Sequence, residues 1–165
     1  MHRVLCGVLC ACIVALGPIV VMADPPTLPD SVDSRLHNHR WAHRLLFVFA
    51  ASDSSERLAR QEEALADHDA GGRERDLLLL TVTGRHHGTH RTAPGADPRP
   101  LTKATARRLR DRFGVPPRAS RIVLVGKDGT EKRRDAEPIP ARSHFDTIDA
   151  MPMRQREMRE EGGGE

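Results

Sequence analysis

The chain has 165 residues, of which 38% are hydrophobic, 30% charged and 3% aromatic. That length suits one domain, and that charge content is ordinary for a globular protein, which excludes wholesale disorder. The formal net charge is only +3, too small an excess to argue for a nucleic-acid binder.

Residues 1–23 read as a secretory signal. Arg3 opens it, an apolar run follows to about Val21, and Val21-Met22-Ala23 supplies residues that a signal peptidase accepts. A membrane anchor is the first alternative, against which stand Gly17-Pro18 and the lack of a positive cluster after the run. A lipoprotein is the second, but Leu9-Cys10-Ala11-Cys12 fits a lipobox poorly. Cleavage after Ala23 starts the mature chain at Asp24 and removes Cys6, Cys10 and Cys12, the only cysteines. The mature chain, with no transmembrane span, is then expected to be secreted or periplasmic and to have no thiol chemistry. Its remaining residues, about 140, suffice for a core without disulfide staples.

Residues 24–35 are Pro/Asp/Ser-rich and read as a flexible leader, 36–159 as one domain, and 160–165 as a flexible acidic tail. Residues 37–44 hold the only tryptophan, Trp41, among basic residues. Residues 45–50, LLFVFA, have strand length and no polar alternation, which predicts a strand buried on both faces. Asp53 with Glu56 reads as a capping box for a helix over 54–67, with Leu58, Gln61 and Leu65 on its inner stripe. Gly71-Gly72 then ends that connection, and 76–83 form a second buried strand. Residues 84–100, rich in Gly, Pro and His, read as a long loop. A helix over 101–113 follows, with Leu101, Thr105, Leu109 and Phe113 repeating at four. Gly114 stops it, and Pro116-Pro117 prevent its resumption. Residues 121–126 are the third strand, Lys127-Asp128-Gly129-Thr130 a tight turn, and 131–134 a short charged edge strand. A last helix covers 143–151, where Phe145 and Ile148 have helical spacing, and Pro152 kinks it or opens a second segment. The order β-α-β-α-β-β-α, with parallel first strands and an antiparallel final pair, predicts an α/β fold built on a small mixed sheet. It is the element order of the thioredoxin fold.

Three stretches carry a more specific signal: RLLFVFAASD at 44–53, VLVGKDGTEKRR at 123–134 and IDAMPMRQREM at 148–158. Together they resemble the domain of unknown function 4174 family, a thioredoxin-like family of exported bacterial proteins. They are also similar to the domain of vertebrate sushi-repeat-containing and coiled-coil-domain-containing matrix proteins. The resemblance implies a thioredoxin-like fold and export, and no established activity. It marks Lys127, Asp128 and Gly129, and Asp149, Met151, Pro152, Met153 and Arg154, as motif residues of structural role. A thioredoxin-like oxidoreductase carries Cys-x-x-Cys after its first strand; here that place holds Ser52-Asp53-Ser54-Ser55. Serine forms no mixed disulfide. The proline that precedes the hairpin strand in thioredoxins is replaced by Ser120-Arg121, with Pro116 and Pro117 too early.

Four candidate sites remain. His86, His87 and His90, with His68, offer imidazoles that suit zinc, copper or nickel if they converge; otherwise they make a solvated basic loop. Met151, Met153 and Met158 offer thioethers for Cu(I), or core filler, with Met151 and Met158 on one helical face. Asp149 and Arg154 in the same string read as an ion pair fixing the helix end. Ser52, Asp53 and Ser55 stand where a helix N-terminus binds an anion or a serine acts with a base such as His43 or His87, but capping accounts for all three. Lys103, Arg107 and Arg110 share one helical face, an interaction surface for an acidic partner. The expected function is that of an exported, non-redox binding module for a protein or envelope component, without cofactor, nucleic acid or catalysis. The alternative is a metal-binding protein or non-thiol enzyme using the His loop or the Met string.

Overall fold

The computed structural model describes residues 32–84, 87–91 and 96–163. The signal segment and residues 24–31 of the leader lie outside them, as does His86; residues 32–35, expected to belong to a flexible leader, are the first half of a helix. In chain order the elements are α1 (Val32–His39), β1 (Arg44–Ala50), α2 (Glu56–Ala66), α3 (Asp69–Glu74), β2 (Leu77–Thr83) and β3 (His87–His90). There follow β4 (Arg99–Pro100), α4 (Lys103–Phe113), β5 (Arg121–Val125), β6 (Glu131–Asp135), α5 (Ala141–Asp149) and α6 (Pro152–Gly162). One sheet of six strands runs in the order β4-β3-β2-β1-β5-β6. β1 and β2 are parallel, and the other neighbouring pairs are antiparallel. This mixed α/β architecture is consistent with a thioredoxin-like fold.

β1 is central and buried along its whole length. Its alternation sends Leu45, Phe47 and Phe49 to one face, where they pack with Leu101, Ala106, Leu109 and Val115 on and beside α4. Leu46, Val48 and Ala50 turn to the other face, against Leu58 of α2 and Ile148 of α5. Helices on both faces explain why the strand has no polar alternation. α4 begins at Thr102, whose hydroxyl accepts the Thr105 N–H at 3.2 Å, and ends at Gly114 in the left-handed conformation (φ 60°).

Several expectations are corrected. The expected loop over 84–100 contains β3 and β4. Its composition disfavours strands, but β2 presents an open edge, and Leu80 pairs with His90 and Thr83 with His87 across it. Gly71-Gly72 lie inside α3, and the Phe145 ring occupies the space a Cβ on Gly71 would need. The Asp53–Glu56 capping box is not formed: Ser55 is the N-cap, its side chain makes no capping bond, and Glu56 instead pairs with Arg60. Where a tail is expected from 160, α6 continues to Gly162, and Glu161 reaches Arg154 at 3.4 Å. Pro152 is at the first turn of α6, opening a second helix. No helix among the described residues is long and apolar enough to cross a membrane.

Candidate functional site: a basic cleft beside the β5–β6 turn

The loop after β1, the place of Cys-x-x-Cys in a thioredoxin-like oxidoreductase, is exposed from Ala51 to Asp53, and Ser52 and Ser54 face each other through their hydroxyls at 3.2 Å. His43 precedes β1 at its opposite end. His87 pairs with Thr83, two strands across from Ala50, about 10 Å of sheet away. Neither is placed as a base for Ser52 or Ser55. Beneath the loop lies Arg110. Its guanidinium donates to the carbonyls of Ala50 at 2.5 Å, Val82 at 3.0 Å and Pro116 at 2.9 Å, and it lies over the Phe49 ring. Burial pulls it below the ordinary arginine range. Arg110 is therefore removed from the expected basic surface, because the chain after Gly114 folds back over it. Lys103 and Arg107 remain exposed on α4.

The histidines do not form the expected cluster. His87 and His90 lie three apart on a strand, so their side chains leave opposite faces; the convergence of that spacing belongs to a helix. His68 lies between α2 and α3 against Phe145, with ring centroids 6.1 Å apart. No group of three or more His, Cys, Asp or Glu among the described residues is placed to hold a metal. Met151 packs on Leu46, Ile122, Leu124 and Ile148, while Met153 and Met158 are half-buried on α6.

The motif residues converge on one ion network at the end of the sheet where β1 and β2 begin. Glu157 accepts from Arg44 at 3.0 Å and Lys127 at 2.7 Å, and Lys127 also donates to Asp76 at 2.8 Å. Burial alone would raise the Glu157 carboxyl, but these two cations outweigh it and hold it below its usual range. Asp149 takes both nitrogens of Arg75 at 2.9 and 2.7 Å, so its main partner is Arg75; Arg154 stands 3.7 Å away. Arg154 is closer to Glu74, at 2.9 Å. Each of the three stretches 44–53, 123–134 and 148–158 supplies a charge here: Arg44, Lys127, and Asp149 with Arg154 and Glu157. This cluster braces the fold around the buried Arg44 and Arg154, with Glu74, Asp76 and Glu161 at its open rim.

Concave surface is found elsewhere. A cleft of about 510 Å³ opens between α1, the end of α4 and the β5–β6 turn. Its floor is apolar, formed by Leu36, Leu45, Phe113 and Val125, and its walls carry His37, His39, Arg40, His43, Arg112 and Arg134. The two carboxylates of the cleft are already engaged. Asp128 accepts from Lys132 at 2.7 Å, and Glu131 takes Arg134 in a two-point pair. The Arg134 bond holds Glu131 below its usual range. Arg40 donates to the Asp128 carbonyl at 3.1 Å and lies over the ring of Trp41. Trp41 is 61% exposed, held outward by a left-handed backbone (φ 68°) and by its N–H bond to the Lys127 carbonyl at 2.7 Å. A second hollow, about 270 Å³, lies between α2, α3 and β2 over Leu77, Leu79 and Phe145. Composition alone singles out Trp41 among basic residues. It misses Arg112 and Arg134, which only packing brings beside α1.

The family model for a Domain of unknown function (DUF4174) matches residues 35–157. No solved structure matches the chain.

Proposed function

The chain belongs to the Domain of unknown function (DUF4174) family, and on that premise we propose that it is an exported binding module without thiol chemistry. The observation that carries this reading is the cleft: an apolar floor, basic walls, neutralised carboxylates and an exposed tryptophan beside it. Residues 35–157 contain no cysteine, so thiol exchange has no nucleophile within the domain. The ligand is an acidic segment of a partner protein or envelope component, with apolar side chains for the floor. Arg40 and Arg112 attract it, and the exposed Arg108 and Arg107 continue the positive surface along α4. Export rests on residues 1–23, and N-terminal sequencing of exported protein is expected to begin at Asp24; a chain that retains Cys12 overturns that part.

Trp41 is the only tryptophan and the chain has no tyrosine, so emission comes from one ring, which stands outside the cleft lining but under the guanidinium of Arg40. Titration with a glutamate-rich peptide carrying aromatic residues other than tryptophan, in chelator-treated buffer, is expected to shift that emission saturably and to weaken with added salt. The shift should vanish in an Arg40→Ala, Arg112→Ala variant and persist in Ser52→Ala. No shift, or a shift indifferent to the arginines, defeats the reading.

A further inference from the structure

Coverage of the sheet is uneven along β2. Leu78 and Leu80 are buried on the α4 face, whereas Leu77 and Leu79, which turn to the opposite face, are only half-buried. Above them lies the hollow of about 270 Å³, floored by Leu46, Leu65, Leu77, Leu79 and Phe145. Ligand pockets begin at about 300 Å³, so this one suits a small organic molecule. Gly72 forms part of its wall. Gly71 has a packing reason, because the Phe145 ring fills the place of its Cβ, but a Cβ on Gly72 would meet nothing within 4 Å. A glycine inside a helix weakens it relative to alanine, and here it leaves the wall open.

The polar groups of the rim divide by element. The helices carry Glu62, His68, Asp69 and Arg73; the sheet side carries Thr81, Thr89 and Arg91, with no carboxylate among them. Thr81 and Thr89 pair directly, and Arg91 continues that ladder through its N–H to the Leu79 carbonyl, so all three side chains leave one face. Thr81 is 7% exposed, and its hydroxyl has no hydrogen-bond partner among the described residues. Arg91 is half-buried and steadied by one bond, Nη1 to the Ala96 carbonyl at 2.8 Å, and its guanidinium has no carboxylate partner among the described residues. Glu62 is not its counter-ion: burial and then Asp53 raise the Glu62 carboxyl, and no cation offsets them.

We propose that this hollow binds a small monocarboxylic acid with a branched aliphatic or aromatic body. Its carboxylate accepts from the Arg91 guanidinium and the Thr81 hydroxyl, and its hydrocarbon lies on Leu77, Leu79 and Phe145. A guanidinium fork matches a carboxylate in charge and in geometry, and the apolar floor favours the hydrocarbon by removing it from water. Glu62 and Asp69 on the helix side repel a second carboxylate, which selects one acid group over two. The site is separate from the basic cleft and does not rest on the acidic-segment reading.

The test uses the purified full chain with its cysteines alkylated. Saturation-transfer NMR is recorded while 4-methylpentanoate or 3-phenylpropionate is titrated in, and again with their primary amides and with 2-phenylethylamine. Each acid is expected to bind saturably, and the amides and the amine at least about tenfold more weakly, the loss of one charge-assisted contact. Arg91→Gln should bring the acids down to the level of the amides, and Thr81→Val should weaken them severalfold. Gly72→Leu fills the hollow and should abolish binding while its thermal melt stays cooperative. Trp41 emission should not change, which separates this site from the cleft. No saturable binding of either acid overturns the proposal. So do an amide or amine that binds as well as the acids, acid binding that survives Arg91→Gln or a folded Gly72→Leu, and a shift in Trp41 emission. If Gly72→Leu does not fold, the acid-against-amide comparison in Arg91→Gln decides alone.

Discussion

His144 is fully buried, and neither ring nitrogen has a hydrogen-bond partner among the described residues. Burial first, and then the positive charge of Arg133, push its pKa down to about 4, against a smaller opposing pull from Asp135. The ring is neutral in the folded protein and protonates in the unfolded chain near 6.5. Stability contributed by the neutral ring is therefore complete above about pH 6.5 and is lost as pH falls toward 4. The loss is on the order of 3 kcal/mol once both states are protonated. His144→Leu removes the two unpartnered nitrogens and that titration, so its urea midpoint should equal or exceed the natural protein's at pH 7 and fall less between pH 7 and 4. Arg154 is the opposite case, a buried cation surrounded by Glu74, Asp149, Glu157 and Glu161. Arg154→Ala leaves a cavity, while Asp149 keeps Arg75, Glu157 keeps Arg44 and Lys127, and Glu74 and Glu161 are more than half exposed. A cost of about 1–3 kcal/mol is expected, measured by denaturant unfolding, and Arg154→Lys should recover part of it.

Elements differ in how far their ends are held by side chains. At α4 the Thr102 hydroxyl accepts a backbone N–H, so Thr102→Ala should lower stability by about 1 kcal/mol. At α2 the Ser55 side chain makes no such bond, and Ser55→Ala should change stability by only a few tenths of a kcal/mol. Thermal melts of the pair test the contrast. The corner between α5 and α6 is set by packing: Ile148 is fully buried, Met151 lies half-buried on the same cluster, and Pro152 begins the new helix. Met151→Ala is expected to cost about 2 kcal/mol, at the low end for core truncation because the side chain is only partly enclosed. β6 shows a different constraint. Its five residues, EKRRD, are all charged, which suits an edge strand that must not pair with another chain.

Across the whole molecule, charge is sorted at one end of the sheet, where β1 and β2 begin and β5 ends, Leu45 pairing with Val125. On the α6 side of that end, cations and carboxylates are matched in the network around Glu157 and Arg154. On the α1 side, beside the β5–β6 turn, they are unequal and open, and a ligand has room there. The loop after β1 has neither thiol nor placed base. The purified chain, with Cys6, Cys10 and Cys12 alkylated, is therefore expected to leave insulin disulfides intact in a turbidity assay.

Local order was legible wherever one pattern had one physical meaning. LLFVFA had strand length, β-forming residues and no polar alternation, and it is a strand covered on both sides; the Thr105, Leu109, Phe113 repeat and Gly114 located α4, although it begins at Lys103 and not at the expected Leu101; and Lys127-Asp128-Gly129 marked the turn between β5 and β6. The motif stretches named the family because their residues are unusual in combination. Tertiary structure decided what depends on neighbours distant in sequence. It drew 87–90 into the sheet because β2 had an unpaired edge, and in doing so turned His87 away from His90. It buried Arg110, since carbonyls from β1, β2 and the 116–119 turn met at one point beneath the first loop. It gave Asp149 to Arg75 rather than Arg154, and it brought Arg112 and Arg134 to the cleft beside α1. Periodicity records which side of an element faces inward, but the partner that waits there is set by where the rest of the chain returns.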